Sequence, residues 1–456
     1  MSEAGSGGKK PTDWGPYGRK PVLVLAAVAF IDNVDQNILP GVLTEVQDDL
    51  GFSDLQAGAL RTVFILTAFL ALLPAGYLAD RYRRTRIIAV VMLSWGAISA
   101  LNSLVRNFGQ FAAVRAALGA GETIDNPSSQ SLLADYYRPS IRGRAYAIQR
   151  LAPLLGTAVG IGLGGVVGAV FGWRWAFLAV GVPGSVLALV VWRLPEPARG
   201  GSDRADIDEE AGDAAEPSSD PPTREIVREE GVRAALADVR EALRIRTLRA
   251  LMVGAAISVG ATAGLGFWAP AFFARHTELG SGQAAVVVAL LLVVGVVTGT
   301  WLGGVLSDRW RERYEGAPMV LAGTGQAICA ALLMVAFSPI PTWIRIVLLL
   351  PAVMGMVAGI PALTAMISEV VPARIRGIGF SMTQFAGSLV AAASPLVVGF
   401  IADQFEIVVD GEVKGNLAYA FLIITPMIFV AAAVVLFGRR YVAEDMRRAA
   451  AAAELS

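Results

Sequence analysis

The sequence contains only one cysteine and one histidine among 456 residues. Cys329 lies in an apolar stretch, so no disulfide can form within the chain. A single histidine, His276, excludes a metal site built from several imidazoles, and we expect no metal. The formal net charge is zero, with 38 basic and 38 acidic residues, so composition gives no reason to expect nucleic acid as a partner.

Motifs of common enzyme classes are also absent. The sequence has no Gly-rich phosphate loop, no nucleophile elbow and no cluster of cysteine and histidine. It therefore supports neither nucleotide hydrolysis nor covalent catalysis, and we expect no enzyme activity and no cofactor. Residues 1–20 are polar and basic without an apolar core, so we expect no cleavable signal peptide.

Apolar residues are abundant instead. They make up 55% of the chain, charged residues make up 17%, and the mean hydropathy is +0.58, which is typical of a membrane protein. Segments of about 20 apolar residues, each long enough to cross about 30 Å of hydrocarbon, occur twelve times. We number them 1 to 12; they lie near 21–45, 57–79, 86–105, 109–135, 143–169, 173–193, 247–273, 283–306, 317–337, 343–369, 376–402 and 416–438.

Lysine and arginine are concentrated on one side of these segments when successive loops are assigned to alternate sides. This asymmetry places both termini in the cytoplasm of a protein of the inner (plasma) membrane. The predicted organisation is a cytoplasmic tail, a bundle of six segments, a cytoplasmic linker, a second bundle and a second cytoplasmic tail. The corresponding residues are 1–20, 21–193, 194–246, 247–438 and 439–456.

The linker has two parts. Residues 200–222 are rich in Gly, Ser, Pro and acids, a composition typical of disorder. Between Arg224 and Arg246, apolar residues recur at helical spacing among charged ones, which predicts an amphipathic helix. We favour a position on the inner membrane surface over a merely solvated helix.

The two bundles carry the same charged turns. The run from Gly76 to Arg81, Gly-Tyr-Leu-Ala-Asp-Arg, returns 228 residues later as Gly-Val-Leu-Ser-Asp-Arg, from Gly304 to Arg309. A second pair of sites, Asp135 with Arg142 and Glu369 with Arg376, is repeated at an offset of 234 residues. The sequence therefore predicts an all-α membrane protein of twelve transmembrane helices, with two six-helix bundles related by internal duplication, as in transporters.

Specific motifs resemble a known family. The Gly-x-Leu-x-Asp-Arg turn after segment 2 and Arg115-x-x-x-Gly119-x-Gly121 in segment 4 resemble the major facilitator superfamily. The motifs Asn33-Val34-Asp35, Gly121-Glu122, Trp268-Ala269-Pro270-Ala271-Phe272 and Ser394-Pro395 resemble its Spinster branch. The resemblance implies transport of lysophospholipids, sphingoid lipids or related amphipaths, usually by a monomer. Gln36 departs from the Spinster pattern, which usually has arginine after the segment 1 aspartate.

Several ionisable side chains occur in the middle of segments 1 and 4. A charge at the bilayer centre costs about 2.5–3.5 kcal/mol on insertion scales, so these groups are expected to face a cavity or a partner. Arg115 and Glu122 are two helical turns apart and share a face. The predicted proton-coupling and substrate residues are Asp35, Arg115, Glu122, Asp32 and Asp125, with Asn33 as a further cavity residue.

Three roles are open for this polar cluster. Burial raises the pKa of an acid and a nearby cation lowers it, so a change of distance to Arg115 would switch Asp35 or Glu122 between protonated and ionised forms. Arg115 could instead bind a phosphate as a bidentate donor. A static ion-pair network that fixes helix packing is the third option, and we favour a functional role over it.

Acidic and basic residues at the cytoplasmic ends of the segments are predicted to act as a gate. Ion pairs there can hold the two bundles together while the cavity opens outward, and their rupture permits inward opening. The gating residues are Asp80, Arg81, Asp135, Arg142, Asp308, Arg309, Glu369 and Arg376. Surplus arginines are explained equally well as topology signals, whereas the repeated acids are not.

Small and aromatic residues complete the prediction. Glycines at four-residue spacing in segments 5 (Gly156, Gly160, Gly164, Gly168) and 8 (Gly295, Gly299, Gly303) let helix backbones approach closely. The resemblance implies that these two segments pack across the interface between the bundles, so that facing stripes would allow them to rock. The tail of an amphipathic substrate is expected to contact the aromatic residues of segments 7 and 11, which are Trp268, Phe272, Phe273, Phe380 and Phe385.

Arg150 is expected either to bind an anionic head group or to pair with Asp80 or Asp135, and the second role is favoured.

The sequence thus indicates a secondary transporter that works by alternating access, coupled to protons, for a lysophospholipid- or sphingolipid-like substrate. The alternatives are a proton-linked transporter of a small organic anion or drug and a non-transporting membrane sensor. An organic-anion site would be expected to have cations in both bundles, and segments 7, 10 and 11 have no lysine or arginine in mid-membrane.

Overall fold

The structure is a computed structural model that describes residues 14, 16–122, 125–198, 232–311, 314–409 and 411–454. Helices dominate it, as expected for chain segments that must satisfy every backbone hydrogen bond inside a bilayer. Linker residues 199–231, which include the predicted disordered segment 200–222, lie outside the described residues.

Seven helices make up the described part of the first half of the chain. They are α1 (Lys20–Leu50), α2 (Asp54–Arg81), α3 (Arg84–Leu101), α4 (Phe108–Glu122), α5 (Asp125–Tyr136), α6 (Pro139–Phe171) and α7 (Trp173–Trp192). A short 3-10 turn, Asn102–Leu104, follows α3. The predicted fourth segment is described as α4 and α5, and residues 123–124 between them lie outside the described residues.

The second half begins with a short helix in the linker. Its helices are α8 (Val232–Ala242), α9 (Arg246–His276), α10 (Ser281–Arg311), α11 (Ala317–Ala336), α12 (Thr342–Ala358), α13 (Ile360–Val370), α14 (Arg376–Asp403), α15 (Leu417–Ile424), α16 (Pro426–Gly438) and α17 (Val442–Glu454). Between α14 and α15, strands β1 (Glu406–Val409) and β2 (Glu412–Gly415) form an antiparallel hairpin that pairs Glu406 with Gly415.

Eleven helical stretches among the described residues are long and apolar enough to cross a membrane. They correspond to all the predicted segments except the fourth, whose residues 123–124 lie outside the described residues. The prediction of a multi-pass helical membrane protein is confirmed, with one short β-hairpin added outside the predicted segments.

The chain folds as two compact units. One unit comprises residues 1–39 and 63–220, and the other comprises residues 40–62 and 221–456. The end of α1 and the start of α2 thus belong to the second unit, although they are part of the first half of the sequence.

The first unit has an apolar core near the predicted cytoplasmic ends of its helices. Val22, Ile88, Leu132 and Tyr137 are fully or almost fully buried there. The Tyr137 hydroxyl donates to the carbonyl of Gly18 and accepts from the amide of Val22, both at 3.0 Å. These bonds attach the start of α1 to the end of α5.

The second unit has an equivalent core formed by α9, α11, α13 and α16, to which the linker helix α8 contributes Ala242. Arg374 pairs with Asp238 of α8 at 2.5 Å and with Glu241 at 2.6 Å. The predicted amphipathic helix over 224–246 is therefore present in part, from Val232, and it is bound to the protein through Ala242 and this ion-pair cluster.

Each glycine stripe lies against a helix of its own unit, which is not the partner that the resemblance implies. A Cβ at Gly156, Gly160 or Gly164 would meet backbone carbonyls of Phe30, Val34 and Ile38 in α1 at 2.4–2.6 Å. The stripe of α10 faces α12, where a Cβ at Gly303 would lie 2.0 Å from the Ala358 carbonyl. Each stripe instead allows close helix packing inside one unit.

Candidate functional site

Asp35 is the central acid of the first unit. It lies in the middle of α1, its side chain is fully buried, and Oδ1 accepts a short hydrogen bond from the hydroxyl of Ser99 in α3. The other carboxyl oxygen, Oδ2, is buried and has no hydrogen-bond partner among the described residues. A buried carboxyl oxygen without a hydrogen-bond donor is energetically costly, which is unusual for a group that serves only helix packing.

Arg115 is the cation of the same region. Its side chain is 2% exposed, and its guanidinium acts electrostatically on the Asp35 carboxyl group. The guanidinium carbon lies 5.2 Å from the ring centre of Phe111 and 4.9 Å from that of Phe177. The structure therefore brings the predicted pair Asp35 and Arg115 together in one dry region of the first unit.

The other polar residues of α1 lie on different faces. Asn33 donates to the Ala29 carbonyl at 3.0 Å, and Asn37 contacts Thr157 of α6 at 3.4 Å. Asp32 is half-buried and lies 3.5 Å from the amide nitrogen of Gln36, the residue that departs from the Spinster pattern. Asp32 and Asp35 are thus in different environments: Asp32 is half-buried, whereas Asp35 is fully buried.

The other two predicted acids are only partly described. Glu122 ends α4 and Asp125 begins α5, but their side chains lie outside the described residues. Their roles remain predictions.

The predicted gating residues fall into two groups. The side chains of Asp80, Arg81 and Asp308 lie outside the described residues. Arg309 and Arg376 are exposed, and Glu369 is half-buried. Asp135 forms an ion pair with Arg84, and Arg142 donates to the carbonyls of Ala134 at 2.8 Å and Tyr137 at 3.2 Å.

Glu196, which the sequence analysis did not single out, organises the predicted cytoplasmic end of the first unit. Its carboxylate accepts from the amides of Arg84 and Thr85 at 3.2 and 2.9 Å, from the Thr85 hydroxyl at 2.7 Å and from the Arg84 guanidinium at 3.0 Å. Burial acts to raise the pKa of Glu196, but the hydrogen bonds from Thr85 and Arg84 outweigh it and hold that pKa below its ordinary value of 4.5. The carboxylate thus caps α3 and neutralises Arg84.

An apolar cavity of about 110 Å³ lies inside the second unit, among α9, α10, α11, α12 and α15. Phe272 and Phe273 line it, as predicted for a tail site, together with Leu333, Val353 and Phe421. The other predicted aromatics do not line this cavity. Trp268 is fully buried and donates from Nε1 to the Pro395 carbonyl at 3.0 Å, Phe380 packs against the apolar core of the unit, and Phe385 is half exposed.

Arg150 has an exposed side chain in the structure. Gln149 beside it is buried. Neither of the two predicted roles of Arg150 is tested by this position.

Arg275 at the end of α9 is a second residue that the sequence analysis missed. Its guanidinium binds both carboxyl oxygens of Asp54 at 2.7 and 2.8 Å, the side-chain oxygen of Gln47 at 2.9 Å and the Gly415 carbonyl at 3.1 Å. Asp403 caps the start of α2 by accepting from the amides of Asp54 and Leu55. The sequence did offer a signal for this ion pair: Arg275 at the end of segment 7 and Asp54 near the start of segment 2 lie on the same predicted side of the membrane.

Metal ligands are not clustered in the described part of the chain. No group of three or more His, Cys, Asp or Glu side chains there is placed to hold a metal ion.

Comparisons with known proteins agree with this architecture. A probable L-galactonate transporter of Escherichia coli (strain K12) is 26% identical over 424 residues, which cover 89% of each protein. Protein spinster of Drosophila melanogaster is 26% identical over 324 residues, covering 68% of this chain and 49% of that protein. The sphingosine-1-phosphate transporter SPNS2 of Danio rerio is 24% identical over 414 residues, covering 85% and 77%.

A solved structure has the same fold. A bacterial homologue of the human lysosomal transporter Spinster, in an inward-facing and unoccupied conformation, superposes with a TM-score of 0.80 at 22% identity, covering 94% of this chain and 98% of that one. The sequence model of the Major Facilitator Superfamily matches residues 25–395. The chain is therefore a member of the Major Facilitator Superfamily, a membrane transporter similar to the Spinster proteins.

Proposed function

We propose that this transporter is proton-coupled, works by alternating access and moves lysophospholipid- or sphingolipid-like amphipaths. Asp35 is the proposed proton-binding residue and Arg115 its electrostatic partner. The observation that carries the proposal is the environment of Asp35: a fully buried carboxyl group with one unpartnered oxygen beside a buried guanidinium. Such a group changes protonation when its access to water or its distance to the cation changes.

The choice of an amphipathic substrate rests on the apolar cavity of the second unit. The residues around Phe272 and Phe273 present aliphatic and aromatic surface, which suits an acyl or sphingoid chain and offers little to a sugar. Two arginines of the second unit, Arg275 and Arg345, lie near helix ends, and both already bind protein groups there. This distribution favours a lipid tail over a polyanion in that unit.

Orientation and gating are part of the proposal. Both termini are placed in the cytoplasm because the basic residues concentrate on that side. The ion pairs at the cytoplasmic ends are assigned to the gate. An individual surface pair contributes only about 0–1 kcal/mol, which suits contacts that must break in every cycle.

The proposal is tested by uptake of labelled lysophosphatidylcholine into proteoliposomes, with and without an imposed pH gradient, for the wild type and Asp35→Asn. We expect uptake that increases with the gradient in the wild type and is indifferent to it in the variant. Asp49→Asn, which changes an exposed acid at the end of the same helix, is the control and should retain the response. Uptake indifferent to pH in all three proteins would refute proton coupling.

A small organic anion is the second proposed substrate class, favoured by the similarity to the probable L-galactonate transporter along 89% of both chains. Under this hypothesis Arg115 would bind the carboxylate of the substrate. Uptake of labelled L-galactonate, with no uptake of the lysolipid, would select it and would exclude the lipid proposal.

A further inference from the structure

The start of α9 and the end of α16 meet at the predicted cytoplasmic end of the second unit. A Cβ at Gly438, the last residue of α16, would lie 2.6 Å from the Cβ of Ala250 in α9. Asp445 of α17 accepts from the amide of Thr247 at 2.8 Å and so satisfies a free amide at the start of α9. These contacts hold three helix ends together and fix the backbone that carries the neighbouring side chains.

Two arginines at this junction lie on aromatic rings. The guanidinium carbon of Arg246 is 5.3 Å from the ring centre of Tyr441, and that of Arg440 is 4.1 Å from the ring centre of Phe437. The two rings are in contact, with centres 6.0 Å apart and an interplanar angle of 65°. Arg246, Tyr441, Phe437 and Arg440 thus form a continuous row, the arginine row. Both of its arginines are exposed, and a guanidinium held on a ring face keeps the N–H groups at its edge available to an acceptor.

The arginine row carries positive charge that nearby carboxylates do not neutralise. Neither Arg246 nor Arg440 forms an ion pair in the described part of the chain. Two further exposed arginines, Arg249 and Arg439, lie one turn and one residue away. The described acids of α8 and α17 are engaged elsewhere: they are Asp238 and Glu241, which pair with Arg374, Glu444, which pairs with Arg448, and Asp445, which binds the Thr247 amide.

The arginine row lies at the ends of two apolar, membrane-spanning stretches. α16 is apolar along its whole length and is followed directly by Arg439 and Arg440, and Arg246 is the first residue of α9. In a bilayer the phosphate groups lie just outside the hydrocarbon, which is the level at which such helices end. Phe437, the last residue but one of α16, is 51% exposed and offers apolar surface on the hydrocarbon side. A lipid can use both the charged and the apolar surface, whereas a soluble anion can use only the charged one.

We propose that the arginine row is a binding site for an anionic phospholipid of the adjacent leaflet. The guanidinium groups of Arg246 and Arg440 bind the phosphate through charge-assisted hydrogen bonds, and the ring of Phe437 contacts the acyl chains. The bound lipid would connect α9 with the turn that follows α16. A role in membrane topology would account for the arginines, but it gives no reason for aromatic rings to hold them. The inference does not depend on the transported substrate or on proton coupling.

Quenching of a local fluorophore by lipids tests the inference. Ala433, exposed and one turn before Phe437, is replaced by cysteine in the Cys329→Ser background and labelled with bimane. The protein is reconstituted in bilayers that contain phosphatidylglycerol or phosphatidylcholine with a nitroxide on the acyl chain, and the quenching gives the relative affinity of the two lipids at this position. We expect the wild type to prefer phosphatidylglycerol about thirtyfold, because each of two arginines contributes about 1 kcal/mol. Arg246→Gln combined with Arg440→Gln should remove the preference.

The matched control is Arg447→Gln combined with Arg448→Gln, which removes the same charge from exposed positions of α17. Arg447 binds the Ala443 carbonyl and Arg448 pairs with Glu444, so this variant should keep the preference. Equal loss in the two double variants would mean that the lipid responds to general surface charge, and it would overturn the inference.

The rings are tested with the charges intact. Phe437→Leu combined with Tyr441→Leu should lower the preference about fivefold, since an exposed cation–π contact contributes about 0.5 kcal/mol. An unchanged preference would show that the arginines act without the rings and would refute the site. Loss of the preference when inorganic phosphate is added at constant ionic strength would identify a soluble anion as the ligand in place of the lipid. Equal quenching of the wild type by both lipids would also refute the proposal.

Discussion

Two buried arginines are stabilised in different ways. Arg115 stacks on Phe111 and Phe177, a contact that tolerates displacement because it has no strict donor geometry. Arg275 is bound by a bidentate ion pair to Asp54, a Gln47 oxygen and a backbone carbonyl, all with defined directions. The first arrangement is suited to a group that responds to a charge change, and the second to one that holds chain segments in a fixed position.

The Arg275–Asp54 pair makes a prediction for stability. Its side chains are only 2% and 3% exposed, so Arg275→Met leaves a buried carboxylate without its cation. We expect a loss of about 3–5 kcal/mol, observed as a large drop in the thermal unfolding temperature in detergent. In the double variant with Asp54→Asn, the combined loss should be smaller than the sum of the single losses.

The matched control is Lys414→Met. Lys414 pairs with Asp48 at 2.7 Å, but the aspartate side chain is 47% exposed, so this change should cost only about 0–1 kcal/mol. Equal losses for Arg275→Met and Lys414→Met would contradict the prediction.

At the level of single residues the sequence singled out the acid and the cation of the candidate site, Asp35 and Arg115, but not the residues that surround them. Asp35 and Arg115 stand out because ionisable groups in apolar segments are costly. Ser99, Phe111 and Phe177 do not stand out, because serine and phenylalanine are ordinary in a membrane helix. Asp54 and Arg275 are 221 residues apart, and only the tertiary fold brings them together.

At the level of helices, the glycine stripes show what periodicity predicts and what it does not. Four-residue spacing correctly indicates a helix face that another backbone approaches closely. It does not identify the approaching helix, because any helix of the right tilt satisfies the spacing. The glycine stripe of α6 packs on α1, the helix that carries Asp35. This contact therefore positions the backbone of α1 around Asp35.

Gly160→Ala should therefore destabilise the first unit. The added Cβ would lie 2.4 Å from the Val34 carbonyl oxygen and 3.0 Å from its Cα, so α1 and α6 must separate, at a cost of about 1–3 kcal/mol. The control is Gly143→Ala in the same helix, where a Cβ has no atom within 4 Å. This change should be neutral or stabilise by up to about 1 kcal/mol through helix propensity.

Thermal unfolding of the two variants in one detergent measures the difference. A lower unfolding temperature for Gly160→Ala only is the expected result. Equal behaviour would mean that the contact between α1 and α6 can relax without cost.

At the level of the whole molecule, the repeated charged turns and the compact units divide the chain differently. The duplication divides the sequence near its middle, whereas residues 40–62 belong to the second unit. The repeated turns show which segments are related by duplication, whereas the compact units show which residues pack together in the folded chain. Asp54 illustrates the difference, since it lies in the first sequence half and is held by Arg275 and Asp403 in the second.

The membrane orientation is a prediction of the whole chain. Charge asymmetry places the linker helix α8 in the cytoplasm and the β1–β2 hairpin outside. Because Cys329 is the only cysteine and is buried, Cys329→Ser provides a background for single exposed cysteines at Arg240 in α8 and Glu412 in β2. A membrane-impermeant maleimide should label Glu412→Cys in intact cells and Arg240→Cys only after permeabilisation. The opposite pattern would invert the orientation and, with it, the side to which the gating residues are assigned.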